Sequence, residues 1–343
     1  LVKSIKDQSK KLWHVSNAFQ IPEGEKLAKK LCQKTFADYV MFQNSGAEAT
    51  EAAIKVARRY FYSIGKPKKN RILCIKNSFH GRTIAAIFAS GISIVYALLT
   101  IFWSLMLWFA GMPVFDSIAH AMTTLATGGY STKSNSLAAF DSAYIELIIT
   151  LGMIVGSLPF VHYLSITKNG WKNLINDVQV KWFFILIIIL VFLVALNLFF
   201  DGKTFIESIR LASFNVVSIL TGTGYGTADF SKWGGFVTTL LLILMFIGGC
   251  AGSTTCGLSM ARIQVLIANA KTQVYKLLFP HAVVVPHYNK KPIPETVAES
   301  VMGFFFLYIL AFAIISCLLG SLGLDFITSI SGAASAIGNV GPG

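Results

Sequence analysis

Three times along this chain a long apolar run is followed by a short amphipathic stretch and then by a cluster of glycines. That recurrence restricts the fold more than any other feature. The runs are Ile92 to Ala110, Trp182 to Phe200 and Val301 to Gly320, each close to the ~20 residues that a helix needs to cross a bilayer. The amphipathic stretches read as short helices: Asp116 to Ala126, Thr204 to Leu220, and one starting at Asp325. The clusters are Thr127-Gly-Gly-Tyr-Ser-Thr132, Thr221-Gly-Thr-Gly-Tyr-Gly226 and Gly338-Asn-Val-Gly-Pro-Gly343. Two apolar returns follow the first two clusters. Tyr144 to Leu164 is expected as one span kinked at Pro159, and Gly234 to Gly249 begins another.

A Gly/Thr-rich extended segment makes a poor helix and a poor soluble strand. At membrane depth such backbone persists only where it is buried in protein or lines a wet cavity. Its carbonyls are then able to replace the water shell of a bare cation. A solvent turn has the same composition, but three copies after three matched short helices favour pore loops in a repeat-built membrane fold. The repeats are expected at about 92–165, 180–265 and 298–343, with Gly129, Gly224 and Gly341 equivalent. The expected filter residues are Thr127, Gly128 and Gly129; Thr221, Gly222, Thr223 and Gly224; and Gly338, Asn339, Val340 and Gly341.

Composition agrees: the chain is 54% hydrophobic and 13% charged, too apolar for an ordinary soluble domain. Its net charge of +13 is unevenly placed. Residues 1–92 hold 17 Lys and Arg against 6 Asp and Glu, and the remainder holds 12 against 10. Clustered lysines such as Lys66, Lys68 and Lys69 read as a solvated surface, because no nucleic-acid motif accompanies them. The five cysteines show no CxxC or Cys/His zinc spacing, so reduced thiols and no structural metal are expected. Leu1 to Lys11 is polar and basic, unlike a signal peptide, and the missing initial Met marks a possible fragment.

Basic residues set the expected orientation. Lys168, Lys172 and Lys181 precede the second repeat, and Lys271, Lys276, Lys290 and Lys291 precede the third. The glycine-cluster side carries mainly Asp116, Asp141, Asp201 and Asp229. The repeat-joining loops and the N-terminal region are therefore expected in the cytoplasm, with the clusters facing outward. One span is interrupted: Phe246-Ile-Gly-Gly-Cys-Ala-Gly-Ser-Thr-Thr-Cys-Gly257. Close helix packing through small residues is one reading. The other is an intramembrane gate loop, with Gly248, Gly249, Gly252, Ser253, Thr254 and Gly257 as its residues. Glu146 and His162 are expected to snorkel from the ends of their span, and His281 and His287 to lie in a cytoplasmic loop.

Ala126-Thr-Gly-Gly-Tyr-Ser-Thr132, Thr221 to Gly226, Gly248-Gly-Cys-Ala-Gly-Ser-Thr254, Phe279-Pro-His-Ala282 and Gly338-Asn-Val-Gly-Pro342 resemble the Trk/Ktr/HKT superfamily of potassium transporters. The resemblance covers residues 92–343. It implies a mainly α polytopic protein of four span–pore-loop–span repeats in the bacterial inner membrane, with K+ as the transported ion. It also implies a homodimer gated by a cytoplasmic ring of nucleotide-binding subunits. Measured against that family, the first repeat and the last span are expected to be missing here, and Cys256 stands where glycine is usual.

The first 91 residues read differently, as a small soluble α/β piece. Glu25 to Phe36 and Asn44 to Tyr60 have helical spacing, and Arg71 to Ile75 reads as a strand. Asn44 or Ser45 is placed to cap the second helix, whose free N–H groups form a natural phosphate site. Leu12-Trp-His-Val-Ser-Asn17, Ile21 to Ala28, Phe42-Gln-Asn-Ser-Gly-Ala-Glu-Ala49, Glu51 to Tyr60 and Ser78-Phe-His-Gly-Arg-Thr83 resemble the acetylornithine aminotransferases, class III enzymes that use pyridoxal phosphate. The resemblance implies that Ser45, Gly46 and Ala47 hold the cofactor phosphate, that Phe79 stacks on its ring and that Arg82 binds a substrate carboxylate. The family's cofactor-linking lysine lies beyond the point where the resemblance stops, so transamination is not expected. A membrane-tethered aminotransferase is the rival reading. Both pieces stop mid-domain with no linker between Ala89 and Ile92, the pattern of a chimera.

Overall fold

A computed structural model describes residues 7, 21–43, 45–66, 68, 92–279, 284–289 and 291–341. The chain divides into two compact units, Leu1–Ser90 and Gly91–Gly343. In the first, α1 spans Pro22–Lys34 and α2 spans Gly46–Ser63. α1 begins three residues before the periodic pattern does, because Pro22 lacks an N–H and is pre-set for the first helical position. Glu23 and Glu25 then face the positive helix end, and Lys34 the negative one. Ser45 caps α2, its hydroxyl accepting from the Glu48 N–H at 3.3 Å. The expected strand at 71–75, with Phe79 and Arg82, lies outside the described residues, as do Asn44 and His281.

The second unit is helical. α3 (Ile92–Phe109) and α4 (Val114–Leu125) lead to the first glycine loop. α5 (Ala143–Gly156), α6 (Phe160–Asn169) and α7 (Lys172–Asn176) follow. α8 (Val178–Phe200) and α9 (Phe205–Leu220) lead to the second loop, and α10 (Gly234–Leu244) and α11 (Met260–Leu278) follow it. A two-residue hairpin, β1 (His287–Tyr288) paired antiparallel with β2 (Lys291–Pro292), precedes α12 (Glu295–Ser321) and α13 (Phe326–Gly338). α8 and α12 are long and apolar enough to cross a membrane, and four shorter apolar helices accompany them.

The short helices start where their caps dictate. Thr204 accepts from the Glu207 N–H and Asp325 from the Thr328 N–H. The longer helices present apolar side chains outward: Ile185, Ile188 and Phe192 of α8 and Phe306, Leu307 and Leu318 of α12 are exposed. By contrast α9 is buried along its C-terminal half, from Phe214 to Leu220. Apolar flanks around a buried short helix suit a hydrocarbon surround and not water.

Two expected spans differ. Tyr144 to Leu164 is two helices and not one kinked helix, since α5 stops at Gly156 and α6 starts after Pro159. Pro159 has no N–H to continue the ladder. The carbonyls freed at Gly156 and Ser157 accept instead from the N–H groups of Thr254 and Cys250, at 3.3 and 3.0 Å. The span expected from Gly234 stops at Leu244, and regular helix resumes only at Met260.

Candidate functional site

The three short helices α4, α9 and α13 each end in a glycine loop, and the loops meet. A Cβ added to Gly129 would overlap the Thr223 carbonyl oxygen. One added to Gly341 would lie 3.7 Å from the Gly224 Cα, and one on Gly222 3.6 Å from the Gly338 carbonyl oxygen. The second loop therefore touches both of the others. Each loop also repeats one backbone pattern. Positive φ occurs at Thr127 and Gly129, at Gly222 and Gly224, and at Asn339 and Gly341. Glycine tolerates this region freely. Thr127, at φ 49°, does not, because its branched Cβ crowds the backbone there.

Side chains brace these loops. Ser218 donates to the Tyr225 carbonyl at 2.7 Å, and its own carbonyl accepts from the Thr223 N–H. The Tyr225 hydroxyl lies 2.5 Å from the Thr123 hydroxyl, and the His120 ring stacks on the Tyr225 ring. Ser335 accepts from the Gly341 N–H at 3.1 Å, and Ser136 from the Gly226 N–H at 3.2 Å. His120 is fully buried, its Nδ1 donating to the Asp116 carbonyl at 2.7 Å and its Nε2 bonded to the Ser131 hydroxyl.

The segment between α10 and α11 is irregular and packs against the loops. Its ends are pinned together: Gly248 N–H donates to the Leu258 carbonyl, and Leu258 N–H to that of Phe246. Gly248 permits this approach, because a Cβ would overlap the Cys256 carbonyl. Gly249 donates to the Thr255 hydroxyl at 3.0 Å, and the Gly252 carbonyl accepts from the Phe160 N–H at 3.1 Å. Ser253 donates to the Cys250 carbonyl, and Gly257 turns the chain at φ 74°. The Thr254 hydroxyl reaches the carbonyls of Leu125 and Gly156, at 2.9 and 3.0 Å, and meets Thr127. Asn339 Nδ2 lies 3.5 Å from Cys256 Sγ. The segment thus contacts the first and third glycine loops. Small-residue packing of one continuous helix does not describe it.

Gln179, Asp177 and Arg210, which the sequence did not single out, help to hold this arrangement. The Gln179 Oε1 accepts from the Ala251 N–H at 2.9 Å, and Asp177 accepts from the Gln179 N–H. Glu146 does not snorkel: it is buried and paired bidentately with Arg210 at 2.7 and 2.8 Å. A glutamate four positions into a span and an arginine inside a short helix were the available signals, since each would otherwise be an isolated charge. His162 likewise pairs with Asp177, at 2.7 Å.

In the first unit, Ser45 and Gly46 stand at the start of α2, and nothing lies within 4 Å of a Cβ added to Gly46. That opening suits a phosphate end alone. Phe79 and Arg82, which the resemblance assigns to the cofactor ring and the substrate, lie outside the described residues.

Repeated units of helix, short helix and glycine loop, wrapped in outward-facing apolar side chains, define a repeat-built membrane protein. The family model of the cation transport protein TrkH matches residues 80–343, and the chain belongs to that family. It is 34% identical over 250 residues to the Trk system potassium uptake protein TrkI of Halomonas elongata, covering 73% of this chain and 51% of the relative. It is 34% identical over 253 residues to TrkH of Escherichia coli K12, covering 73% and 52%. The fold is similar to the crystal structure of the potassium transporter TrkH from Vibrio parahaemolyticus, with a TM-score of 0.72 and 29% identity over 84% of this chain and 61% of that one. The chain spans about half the length of the curated relatives it matches. Class III aminotransferase is a second family match, over residues 1–105, overlapping the first between 80 and 105.

Proposed function

We propose that residues 92–343 form part of a potassium uptake path across the bacterial inner membrane, walled by the three glycine loops. The observation that carries this reading is their shared alternation of positive and negative φ at matched positions. Alternating signs turn successive carbonyls toward one side, where they substitute for an ion's water shell. The equivalent residues are Thr127, Gly222 and Asn339; Gly128, Thr223 and Val340; and Gly129, Gly224 and Gly341, with Thr221 and Gly338 at the ends of their helices. The relatives' names supply the ion.

The segment from Gly248 to Gly257 acts in this reading as a gate, because it abuts Thr127 and Asn339, members of two loops. The repeat-joining loops face the cytoplasm, where a ring of nucleotide-binding subunits moves the gate, and two copies of the protein associate. The test is a hybrid in which residues 92–343 replace the matching segment of the Escherichia coli relative. It is expressed in a bacterium lacking its own potassium uptake. Growth at low potassium is expected, and Gly224→Asp is expected to abolish it. Growth that survives Gly224→Asp would remove the second loop from the path.

The N-terminal unit contributes a helix start open to phosphate, and no transamination is assigned to it.

A further inference from the structure

Away from the glycine loops, a cavity of about 220 Å³ lies where the start of α8, the middle of α11 and the hairpin meet. Trp182, Gln264, Lys271, His287 and Tyr288 line it. Gln264 is 6% exposed, and its Nε2 donates to the Val178 carbonyl at 3.3 Å. Its Oε1 is buried with no hydrogen-bond partner, beside a cavity whose wall also includes Val178, Ile267, Ala268 and Asn289. A buried acceptor without a donor is rare in folded proteins and marks a place where something polar belongs. Lys271 is exposed and forms no ion pair among the described residues. His287 Nδ1 donates to the Val285 carbonyl at 2.7 Å, which turns Nε2 away from that bond.

The ligand that satisfies these groups is anionic at one point and a hydrogen-bond donor at another, since Lys271 and Gln264 stand two turns apart on α11. A cavity of about 220 Å³ is smaller than the roughly 300–1,000 Å³ of sites for drug-sized ligands, which suits a small headgroup. A metal cation is disfavoured by Lys271, and no His/Cys/Asp/Glu cluster occurs among the described residues. Trp182 is half-exposed in the second turn of a span, the height at which indoles sit among lipid headgroups. Basic pockets between spans at that height attract anionic lipids.

We propose that this cavity binds the phosphoglycerol headgroup of an anionic membrane lipid. Lys271 meets the phosphate, and the Gln264 amide rotates so that its buried Oε1 opens to the cavity and accepts from a glycerol hydroxyl. Trp182 packs beside the glycerol backbone. The site rests on the membrane location of the second unit and not on its ion path, so it is tested without measuring flux.

The full chain is purified in detergent and equilibrated with phosphatidylglycerol, phosphatidylmethanol or phosphatidylcholine of equal chain length. Retained lipid is counted by native mass spectrometry. Phosphatidylglycerol is expected to be held about tenfold more than phosphatidylcholine, whose phosphate is accompanied by a trimethylammonium cation that Lys271 repels. Lys271→Gln, an exposed change that leaves packing intact, is expected to erase that difference. Gln264→Leu is expected to keep it while erasing the preference for phosphatidylglycerol over phosphatidylmethanol, which lacks the hydroxyls. The proposal is overturned if Lys271→Gln retains the lipid as well as the parent, or if phosphatidylcholine is held equally. Displacement of the lipid by millimolar inorganic phosphate would also overturn it, since the cavity would then be a soluble-anion site.

Discussion

The Thr254 hydroxyl lies 3.3 Å from the Thr127 hydroxyl, and this contact joins the segment between α10 and α11 directly to the first glycine loop. Thr127 is held at a positive φ that its branched side chain resists. The same Thr254 oxygen reaches the carbonyls of Leu125 and Gly156. One side chain therefore ties the irregular segment to the end of α4, to the broken span and to a strained loop residue.

Replacing Thr254 by Val keeps the shape and removes these bonds. Each is worth about 1 kcal/mol net, and about 1.4 kcal/mol is a tenfold change in an equilibrium. Basal potassium uptake by the hybrid transporter is expected to rise by about tenfold if the segment is a gate. Unchanged uptake with unchanged regulation would make Thr254 a packing residue only.

Gly129→Ala is expected to abolish selective uptake. Its Cβ would overlap the Thr223 carbonyl oxygen, and φ at 66° is already unfavourable for alanine. Gly202→Ala is the control, because it shares a positive φ but has open space around it. Rubidium uptake in the presence of sodium distinguishes them: the control is expected to transport, and Gly129→Ala is not.

Tyr225→Phe deletes the hydroxyl beside Thr123 while preserving the stack on His120. The second loop then loses its hydrogen bond to α4 and keeps only the ring stack. Discrimination between potassium and sodium is expected to fall while total cation flux is kept. Equal discrimination in the variant and the parent would show that Ser218 and Ser136 fix this loop without the Tyr225 hydroxyl.

The Glu146–Arg210 pair makes an asymmetric prediction about stability. The glutamate side chain is 7% exposed and the arginine 37%. Arg210→Met strands a buried carboxylate, a change that destabilises by roughly 3 kcal/mol. Glu146→Gln leaves an arginine with access to water and to Asp141, 3.8 Å away, and is expected to be milder. Thermal midpoints in detergent should rank parent, Glu146→Gln, Arg210→Met from highest to lowest. The reverse order of the two variants would contradict the pairing.

Much of this architecture is legible along the chain, because its signals are local. Apolar run, capped short helix and glycine cluster each occupy a few turns, so Thr204, Asp325 and Ser45 mark helix starts without knowledge of the rest. Boundaries moved only by a few residues, as at Pro22. The break of the Tyr144–Leu164 run is different. Proline there was compatible with a kink, and two helices form because a segment almost a hundred residues later supplies N–H groups to the carbonyls of Gly156 and Ser157.

The same distance hides the partners of Glu146, Tyr225 and Gln264. Glu146 meets Arg210 across 64 positions, and Tyr225 meets Thr123 across 102. Neither pairing leaves a periodic trace. The glycine loops show both sides of the division. Their glycines are visible in composition, since only glycine tolerates positive φ without penalty. Thr127 adopts that hand as well, held by the Thr254 segment, whereas Asn339 takes it as the end of α13, where asparagine is readily accommodated. Local chemistry sets which segments are helices and which are loops, whereas the meeting of three loops around Gly224 is set by helices packing across the whole unit.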